Sequence, residues 1–507
     1  MYEQNYLARR LRAASIGRDD APFLKDHRTG ASLSYGAFFA NAERMAAVLA
    51  ENGVRPGDRI AVQAPKTQAM LELYVGAVLA GAVFLPLNTA YTGAELAYFL
   101  DDAEPVLLVC DPGNLAALEP IAAKAQVPVI LTLAADETGT LVQARDAAAP
   151  GFQAVAREAG DLAAILYTSG TTGRSKGAML SHLALASNSE TLKDYWRFTA
   201  EDVLIHALPI FHTHGLFVAT NIAAMAGASC IFMAGFDAEA IVAAMPEATT
   251  LMGVPTFYVR LLDTPGLADA ARNMRLFVSG SAPLLAETHE RWHRVTGHAI
   301  LERYGMTETN MNTSNPYEGE RRAGTVGFPL PGVEVIVTDP DTGAEVPAGQ
   351  VGILEVRGEN LFSGYWRMPE KTAEELRENG FFITGDMAEI SADGYISIVG
   401  RAKDLIITGG YNVYPKEIEL LIDAVEGVVE SAVIGVPHRD FGEAVVALVV
   451  AEPGTDVSEE SIMVAIGPDL ARFKQPKRII IVDELTRNTM GKVQKKELRT
   501  AWKDLFA

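Results

Sequence analysis

A glycine- and hydroxyl-rich segment, YTSGTTGRSKG at residues 167–177, constrains this chain more than any other feature of its sequence. Glycine allows backbone N–H groups to turn toward an anion, Ser and Thr hydroxyls donate further hydrogen bonds, and Arg174 and Lys176 add positive charge. The segment is not a Walker P-loop, because two residues separate Gly173 from Lys176 and a glycine follows the lysine. An ordinary surface turn is the alternative interpretation. The composition of the segment favours a loop that holds a polyphosphate.

The chain before and around this loop has the pattern of an α/β fold. Residues 33–131 alternate short apolar runs with helical patterns, which predicts a parallel sheet with helical crossovers. A helix from Tyr35 is expected to end near Asn52-Gly53, because glycine commonly follows the last helical turn. A second round then predicts a strand over 162–168, the loop, and a helix over 179–196. This order places the loop at the C-terminal edge of a sheet, where open α/β folds bind ligands.

The C-terminal third has a different sequence pattern. Shorter β-type runs with turns over residues 322–400 predict a smaller β subdomain, and the mixed pattern after Gly400 predicts an α+β domain. The fold class is therefore a large α/β N-terminal domain over residues 1–402, with parallel sheets, helical crossovers and a β subdomain. A small mobile α+β C-terminal domain over residues 403–507 follows it. No repeat at solenoid spacing is present.

The charge balance limits the classes of partner. A formal net charge of −21 argues against nonspecific binding of nucleic acid or of an anionic membrane, so an anionic substrate must meet a local positive potential. Residues 472–507 supply some of it, with ten Lys/Arg against four Asp/Glu. A solvated helix face is the alternative for most of these lysines.

The sequence also predicts a cytoplasmic protein. Cys110 and Cys230 both lie in apolar runs, which indicates buried thiols in a reducing compartment. The first residues lack the apolar stretch of a signal peptide. The longest uncharged run, residues 73–87, is about fifteen residues, shorter than the roughly twenty that cross a bilayer.

Five further segments follow the loop in order. They are SGSAPL at 279–284, YGMTET at 304–309, TGD at 384–386, GRAKDLIITGGYNVYPKEIE at 400–419 and NTMGKV at 488–493. Together with the loop, over nearly the whole chain, they resemble the adenylate-forming superfamily of acyl-CoA synthetases, luciferases and adenylation domains. The resemblance implies that a carboxylate attacks the α-phosphate of ATP to give an acyl-adenylate and pyrophosphate, after which coenzyme A displaces AMP. Patterns at 194–198, 205–217, 252–262 and 302–317 are more narrowly similar to malonyl-CoA synthetases, which implies malonate as the acid, with methylmalonate also open.

The resemblance assigns the nucleotide site residue by residue. It implies that the β- and γ-phosphates are held by Thr168, Ser169, Gly170, Thr171, Thr172, Gly173 and Lys176. It implies that the adenosine and α-phosphate are bound by Ser281, Ala282, Pro283, Tyr304, Thr307, Asp386 and Arg401. Glu308, with Thr168, is implied to hold Mg²⁺, since magnesium usually takes one or two carboxylates together with phosphates. Without the family, YGMTE is more typical of a turn than of a metal site.

Three C-terminal features are implied to act in catalysis. Lys492 matches the lysine that bridges the reacting carboxylate and the α-phosphate, so that Lys492, Thr168 and Glu308 form the expected catalytic set. Lys403 matches the hinge between the two domains, and Gly409, Gly410 and Tyr411 match the segment that shapes the coenzyme A tunnel. Thr486 stands where the family commonly has proline.

The acid pocket is implied to contain Arg260, Ser281, His212 and Met306. Arg260 and Ser281 match the residues that bind the distal carboxylate in malonyl-CoA synthetases, and a guanidinium suits a dianion because it offers two parallel charge-assisted bonds. A snorkelling surface position is the alternative for Arg260. A metal site at His212 and His214 is disfavoured, since no cluster of further ligands accompanies them.

Other functions stay open at this level. They are an acyl-CoA synthetase for another short, fatty or aryl acid, an adenylation domain that loads a carrier protein, and a luciferase-like oxygenase. The oligomeric state is not predicted.

Overall fold

The computed structural model of the chain describes residues 2–168, 175–408, 411–470, 472–488 and 491–506. Within these residues the strands form four sheets, of nine, six, four and five strands. The predicted fold class is confirmed: two α/β sheets and a small antiparallel sheet are followed by a C-terminal α+β part.

The six-stranded sheet carries the glycine-rich loop at one edge. Its strands lie in the spatial order Val129–Thr132, Leu107–Cys110, Arg59–Gln63, Val83–Pro86, Leu162–Thr168 and Lys176–Ser181. The first five run parallel, as the alternation of strand and helix patterns predicts. Helix Tyr35–Glu51 packs on helix Gln68–Ala80 beside this sheet, and Asn52 caps the first of them as expected.

The prediction of a helix over residues 179–196 was wrong for residues 179–181. Lys176–Ser181 is a strand that pairs antiparallel with Leu162–Thr168, so a strand and not a helix follows residue 175. The strand is fixed from its other side too, because Met179 N donates to Gly364 O and Trp366 N donates to Gly177 O. The helix begins at His182, where Ser181 Oγ accepts a hydrogen bond from Ala184 N at 3.0 Å. Pairing on both sides outweighs the local helical pattern here.

The nine-stranded sheet supplies the second α/β layer. Its strands lie in the order Phe328–Pro329, Asn310–Ser314, Leu301–Met306, Leu276–Ser279, Thr250–Gly253, Val203–His206, Ser229–Phe232, Pro22–Asp26 and Ser32–Ser34. Six neighbouring strands from Leu301–Met306 to Pro22–Asp26 run parallel. The carboxyl ends of parallel strands meet at one edge, so the segments after residues 206, 253, 279 and 306 lie along the same edge of this sheet.

The last two sheets contain the predicted β subdomain and C-terminal α+β region. The four-stranded antiparallel sheet consists of Val333–Thr338, Gly352–Gly358, Phe382–Ile390 and Ile396–Arg401. The five-stranded sheet consists of Tyr411–Val413, Ile406–Thr408, Gly442–Ala451, Val428–His438 and Arg478–Ile481. The short helical turn Ala402–Asp404 joins the two sheets.

The α-helices of the described residues cover the faces of these sheets. They are Tyr6–Ala13, Tyr35–Glu51, Gln68–Ala80, Gly93–Ala103, Leu115–Lys124, Thr140–Ala147, His182–Tyr195, Asn221–Ala226, Ala238–Ala244, Pro255–Leu262, Leu267–Ala270, Ala286–Thr296, Pro369–Glu375, Pro415–Asp423, Glu459–Ile466 and Lys495–Trp502. One π-helix, His214–Thr220, precedes Asn221–Ala226. Cys110 and Cys230 are buried and unpaired, as predicted. Among the described helices, none is long and apolar enough to cross a membrane.

Candidate active site

The predicted phosphate loop is flanked by two strands that pair with each other. Thr168 ends one strand, Lys176 begins the next, and the two are opposite each other in the hairpin. Thr168 Oγ1 lies 3.4 Å from the backbone oxygen of Lys176. The remaining predicted phosphate ligands, Ser169, Gly170, Thr171, Thr172 and Gly173, lie outside the described residues.

Lys176 has an anionic partner that the sequence analysis did not identify. Its Nζ lies 3.2 Å from each carboxylate oxygen of Glu375 and 4.0 Å from the ring centroid of Tyr365. The hydroxyl of Tyr365 lies 2.6 Å from Glu375 Oε2 and 3.1 Å from Glu308 Oε1. The lysine at the end of the phosphate loop therefore belongs to a network of two carboxylates and one tyrosine.

Glu308 is the only one of these carboxylates that the sequence predicted. It is buried, and burial raises its pKa above the ordinary value, although Lys176 and the hydroxyl of Tyr365 act in the opposite direction. In the part of the chain that the structure describes, no group of three His, Cys, Asp or Glu residues could hold a metal ion. A single buried carboxylate fits a magnesium ion that shares its ligands with nucleotide phosphates better than it fits a metal held by protein alone.

The predicted ribose pair is formed in the four-stranded sheet. Asp386 and Arg401 are opposite each other on neighbouring strands, with Asp386 Oδ1 2.6 Å from Arg401 Nε. Asp386 is buried, and the hydroxyl of Tyr304 donates to its Oδ2 at 2.5 Å. The structure thus brings together three predicted nucleotide residues from segments almost a hundred residues apart.

The loop after strand Leu276–Ser279 lies at the same sheet edge as Tyr304, and the region around this loop, Tyr304 and Asp386 is called the cleft. Ser281 has a φ of 71°, an unusual backbone conformation for a residue with a Cβ, and its Oγ lies 3.3 Å from His214 Nδ1. Ala282 is half-buried and Pro283 is exposed. The loop is anchored where Leu284 N donates to the buried carboxylate of Glu302 at 3.0 Å.

Met306 and Thr307 follow Tyr304 at the edge of the nine-stranded sheet. Both are half-buried, and Met306 Sδ lies 3.9 Å from the hydroxyl of Tyr304. This position puts both residues beside the tyrosine that bonds Asp386.

Lys492 reaches this cleft from the C-terminal region. Its backbone N–H donates to Asn488 Oδ1 at 2.9 Å, and Arg487 in the same turn pairs with Glu430. The side chain of Lys492 is exposed to solvent. Nearby protein atoms lower the pKa of Lys492 by desolvation, Arg401 and Arg303 lower it further, and Asp386 and Glu308 act to raise it. Lys492 therefore lies near several of the predicted nucleotide residues.

Arg303 is a site residue that the sequence analysis missed. It is 2% exposed, and none of the described side chains forms an ion pair with it. Its Nε and Nη2 have no hydrogen-bond partner. Burial lowers the pKa of its guanidinium to about 9, with Tyr258 acting in the opposite direction. A Cβ on Gly280 would lie 2.4 Å from Arg303 Cζ, so the guanidinium lies directly against the backbone of the Ser279–Ser281 loop.

Two histidines, His212 and His214, lie near Arg303. Burial lowers the pKa of His212 to about 3, and Lys492 and Arg303 add to the effect. Burial also lowers the pKa of His214 far below its usual value, with Arg303 the next contribution. His212 Nδ1 and His214 Nε2 have no partner among the described residues. Near pH 7 both rings are therefore neutral, and Arg303 provides the positive charge at this end of the cleft.

Arg260 lies apart from Arg303, on helix Pro255–Leu262. Its side chain is exposed, with its guanidinium carbon 5.7 Å from the ring centroid of Phe236. Thr256, one turn earlier on the same helix, lies close to Gly491, next to Lys492. Residues four apart share a helix face, so Arg260 is on the side of the helix that faces the Lys492 turn.

The predicted hinge and tunnel residues are described only in part. Lys403 is exposed in the turn Ala402–Asp404, and its carbonyl accepts a hydrogen bond from Arg499 at 3.3 Å. Gly409 and Gly410 lie outside the described residues, as does the side chain of Tyr411.

A signal for Arg303 exists in the sequence. The strand LERYGM carries two adjacent charged residues, Glu302 and Arg303, immediately before the YGMTE motif. Successive side chains of a strand point to opposite faces, so a buried parallel strand encloses one charge on each face. Buried charges of this kind mark functional positions more often than exposed ones do.

Comparison with known proteins agrees with this arrangement. A family model described as AMP-binding enzyme matches residues 11–366, and one described as AMP-binding enzyme C-terminal domain matches residues 417–492. A malonate–CoA ligase from Arabidopsis thaliana is 34% identical and covers 93% of this chain and 84% of its own length. The ATP-bound crystal structure of MatB from Rhodopseudomonas palustris is 56% identical, covers 99% of this chain and 100% of its own, and superposes with a TM-score of 0.96. The apo structure of the same protein gives 0.86. The arrangement of this chain is thus more similar to the ATP-bound form than to the apo form.

Proposed function

Because the chain belongs to the AMP-binding enzyme family, we propose that it is an AMP-forming malonate–CoA ligase. It joins malonate to coenzyme A through a malonyl-AMP intermediate, with release of pyrophosphate and AMP, and methylmalonate is a further substrate. Its similarity to a plant malonate–CoA ligase supports this assignment.

The observation that carries the proposal is the buried, unpaired guanidinium of Arg303. A charge without a partner in a protein interior is strongly unfavourable, so such a group is expected where a ligand supplies the opposite charge. The distal carboxylate of malonate would be that partner. A fatty or aryl acid has no second charge to place there, and the neutral rings of His212 and His214 do not supply a competing cation.

Arg260 provides a second positive charge at the more open side of the pocket. In this proposal Arg303 and Ser281 bind the distal carboxylate, while His212 and Met306 form the wall of the pocket. The family resemblance implies Arg260 as the residue that selects malonate, whereas in this proposal its exposed position suits steering of a dianion better than desolvated binding of one.

The first half-reaction uses Lys492. Its ammonium would lie between the reacting carboxylate and the α-phosphate, where negative charge develops as the carboxylate oxygen attacks and pyrophosphate leaves. Thr168, Lys176 and the loop between them would hold the β- and γ-phosphates. Tyr304, Asp386 and Arg401 would hold the adenosine, and the Ser281–Pro283 loop and Thr307 would complete the surroundings of the α-phosphate. Their contribution is mainly positioning.

Mg²⁺ is the proposed metal, bound by Glu308 with Thr168 and the nucleotide phosphates. When bound, it would neutralise phosphate charge. Tyr365 orients the Glu308 carboxylate through its hydroxyl at 3.1 Å.

The second half-reaction requires a rearrangement of the C-terminal region. We place the domain boundary between residues 402 and 403, with Lys403 as the hinge, because the turn Ala402–Asp404 joins two separate sheets. Rotation would withdraw Lys492 and bring Gly409, Gly410 and Tyr411 to the cleft, where they would line the path of coenzyme A. The proposed compartment is the cytoplasm, in keeping with two free buried thiols.

One panel of substrates tests the function. Pyrophosphate release is measured with ATP and with malonate, methylmalonate, succinate, butyrate and benzoate, each with and without coenzyme A. We expect the highest kcat/KM for malonate and a thioester product that requires coenzyme A. A preference for butyrate or benzoate would reject the dicarboxylate assignment, and turnover that needs a carrier protein would favour an adenylation domain.

A further inference from the structure

Glu375 is a carboxylate at the phosphate loop that no part of the proposed mechanism uses. It ends helix Pro369–Glu375, and both of its oxygens lie 3.2 Å from Lys176 Nζ. The side chains of Lys176 and Glu375 are 19% and 23% exposed, so the pair is mostly enclosed.

Neighbouring groups keep Glu375 ionised and in place. The hydroxyl of Tyr365 lies 2.6 Å from its Oε2, and Lys371 Nζ lies 3.0 Å from its Oε1. Burial alone would raise the pKa of Glu375, but the hydrogen bond from Tyr365 and the charges of Lys371 and Lys176 outweigh it and hold the pKa below the usual value. A full negative charge therefore lies against the lysine of the phosphate loop.

This arrangement competes with a bound polyphosphate. A lysine ammonium has three N–H donors, and two of those on Lys176 are in reach of Glu375 oxygens. A phosphate that takes Lys176 must replace or share these contacts, and its own negative charge is repelled by the carboxylate. A neutral amide at residue 375 would offer Lys176 one weaker acceptor and no repulsion to the phosphate.

We propose that Glu375 is an internal counter-anion of Lys176, which lowers the affinity of the site for the β- and γ-phosphates and promotes release of pyrophosphate. This inference rests on the proposed role of Lys176 as a phosphate ligand. Glu375 acts through Lys176 and is a positioning residue, not a catalytic one.

The test compares Glu375→Gln with Glu374→Gln in the full-length protein. Glu374 is the matched control, because it is exposed and pairs with Lys371 at 2.7 Å while the structure gives it no contact with Lys176. Titration calorimetry measures binding of ATP, pyrophosphate and AMP in the presence of magnesium. We expect Glu375→Gln to lower Kd for ATP and pyrophosphate by about two- to fivefold, which corresponds to about 1 kcal/mol or less for a partly exposed ion pair. Binding of AMP, which lacks the β- and γ-phosphates, should be unchanged, and so should every Kd of Glu374→Gln.

Two further variants separate the possible failures. Glu375→Asp keeps the charge on a shorter side chain and should tighten pyrophosphate binding in the same direction but less, which retains the test if the amide variant folds poorly. Lys176→Met should weaken ATP binding without changing AMP binding. If Lys176→Met binds ATP as the wild type does, the phosphate role of Lys176 fails. If it binds ATP weakly while Glu375→Gln binds pyrophosphate no tighter than Glu374→Gln, the counter-anion role of Glu375 is overturned and the proposed function is untouched.

Discussion

The two ends of the cleft differ in whether their buried or partly buried cation is paired with an anion. At the acid end, Arg303 is buried without an ion-pair partner among the described residues, and the histidines beside it are neutral. At the phosphate end, Lys176 is matched by Glu375, which is matched in turn by Lys371. The paired and the unpaired cation are therefore suited to different tasks. An unpaired buried charge discriminates strongly between substrates, whereas a paired one moderates the binding of a group that must leave.

The magnitudes support this contrast. Removing one partner of a buried ion pair typically costs about 3 to 5 kcal/mol, while partly exposed pairs contribute about 1 kcal/mol or less. Changes at Arg303 should therefore alter substrate choice by orders of magnitude, and changes at Glu375 should alter phosphate affinity only moderately.

The largest effect is expected from Arg303→Met. Loss of the guanidinium leaves the distal carboxylate of malonate unpaired, so kcat/KM for malonate should fall by about two to four decades, from about 3 to 5 kcal/mol at about 1.4 kcal/mol per tenfold. Activity with butyrate should be retained or rise, because the pocket becomes apolar. Steady-state pyrophosphate release with both acids measures the ratio, and Arg303→Lys should be intermediate. Near-native kcat/KM for malonate in Arg303→Met would show that Arg303 does not bind the distal carboxylate, and the contrast between the two ends would fail.

Lys492→Ala tests the group between the two ends. Loss of a cation at the site of developing charge should slow malonyl-AMP formation by about two to three decades. Thioester formation from supplied malonyl-AMP should continue at close to the wild-type rate. Single-turnover assays of the two half-reactions measure this, with the exposed Lys496→Ala as control. Equal losses in both half-reactions would show that Lys492 does not act between the carboxylate and the α-phosphate as proposed.

Arg260→Ala sharpens the comparison within the acid end. Because Arg260 is exposed, its removal should lower kcat/KM for malonate by about fivefold, in line with about 1 kcal/mol for a solvated pair. The loss should shrink further at high salt, since exposed charges are screened. A loss as large as that of Arg303→Met, at every ionic strength, would make Arg260 the main selector.

Glu302 tests whether ionisation of a buried carboxyl next to Arg303 lowers the stability of the folded protein. Burial raises the pKa of this carboxyl to about 8, and its Oε2 has no partner. The folded protein retains the proton at pH values where the unfolded chain has released it. Stability from this group is therefore complete below about pH 4.3, the ordinary glutamate value, and is lost as pH rises to about 8. Glu302→Gln should reduce the loss of stability between pH 6 and pH 9 by about 1 to 3 kcal/mol. Thermal unfolding of both proteins across this range measures it, and parallel pH profiles would contradict the assignment.

The sequence predicts the fold well where local pattern and pairing agree. The strand at 162–168 and the helix from Tyr35 to Glu51 lie where their patterns place them, because each buries a continuous apolar face. Residues 179–181 depart from the predicted helix because backbone partners on both sides are available only in the folded chain.

The site shows the same limit. Asp386 and Arg401 could be paired in advance, because each lies in a segment with a specific motif. Arg303 lies directly before the YGMTET motif, and its lack of an ion pair is a property of the packed interior that spacing does not reveal. Glu375 is separated from Lys176 by about two hundred residues, and nothing in its own surroundings in the sequence marks it as the partner of that lysine.

The most direct test of the contrast is a crystal structure of the protein with malonate and a nonhydrolysable ATP analogue. The account predicts the distal carboxylate within about 3 Å of Arg303 Nε and Nη2, the donors that lack partners here, with the other carboxylate toward Lys492. A distal carboxylate bound to Arg260, with the guanidinium of Arg303 still unpaired, would contradict it.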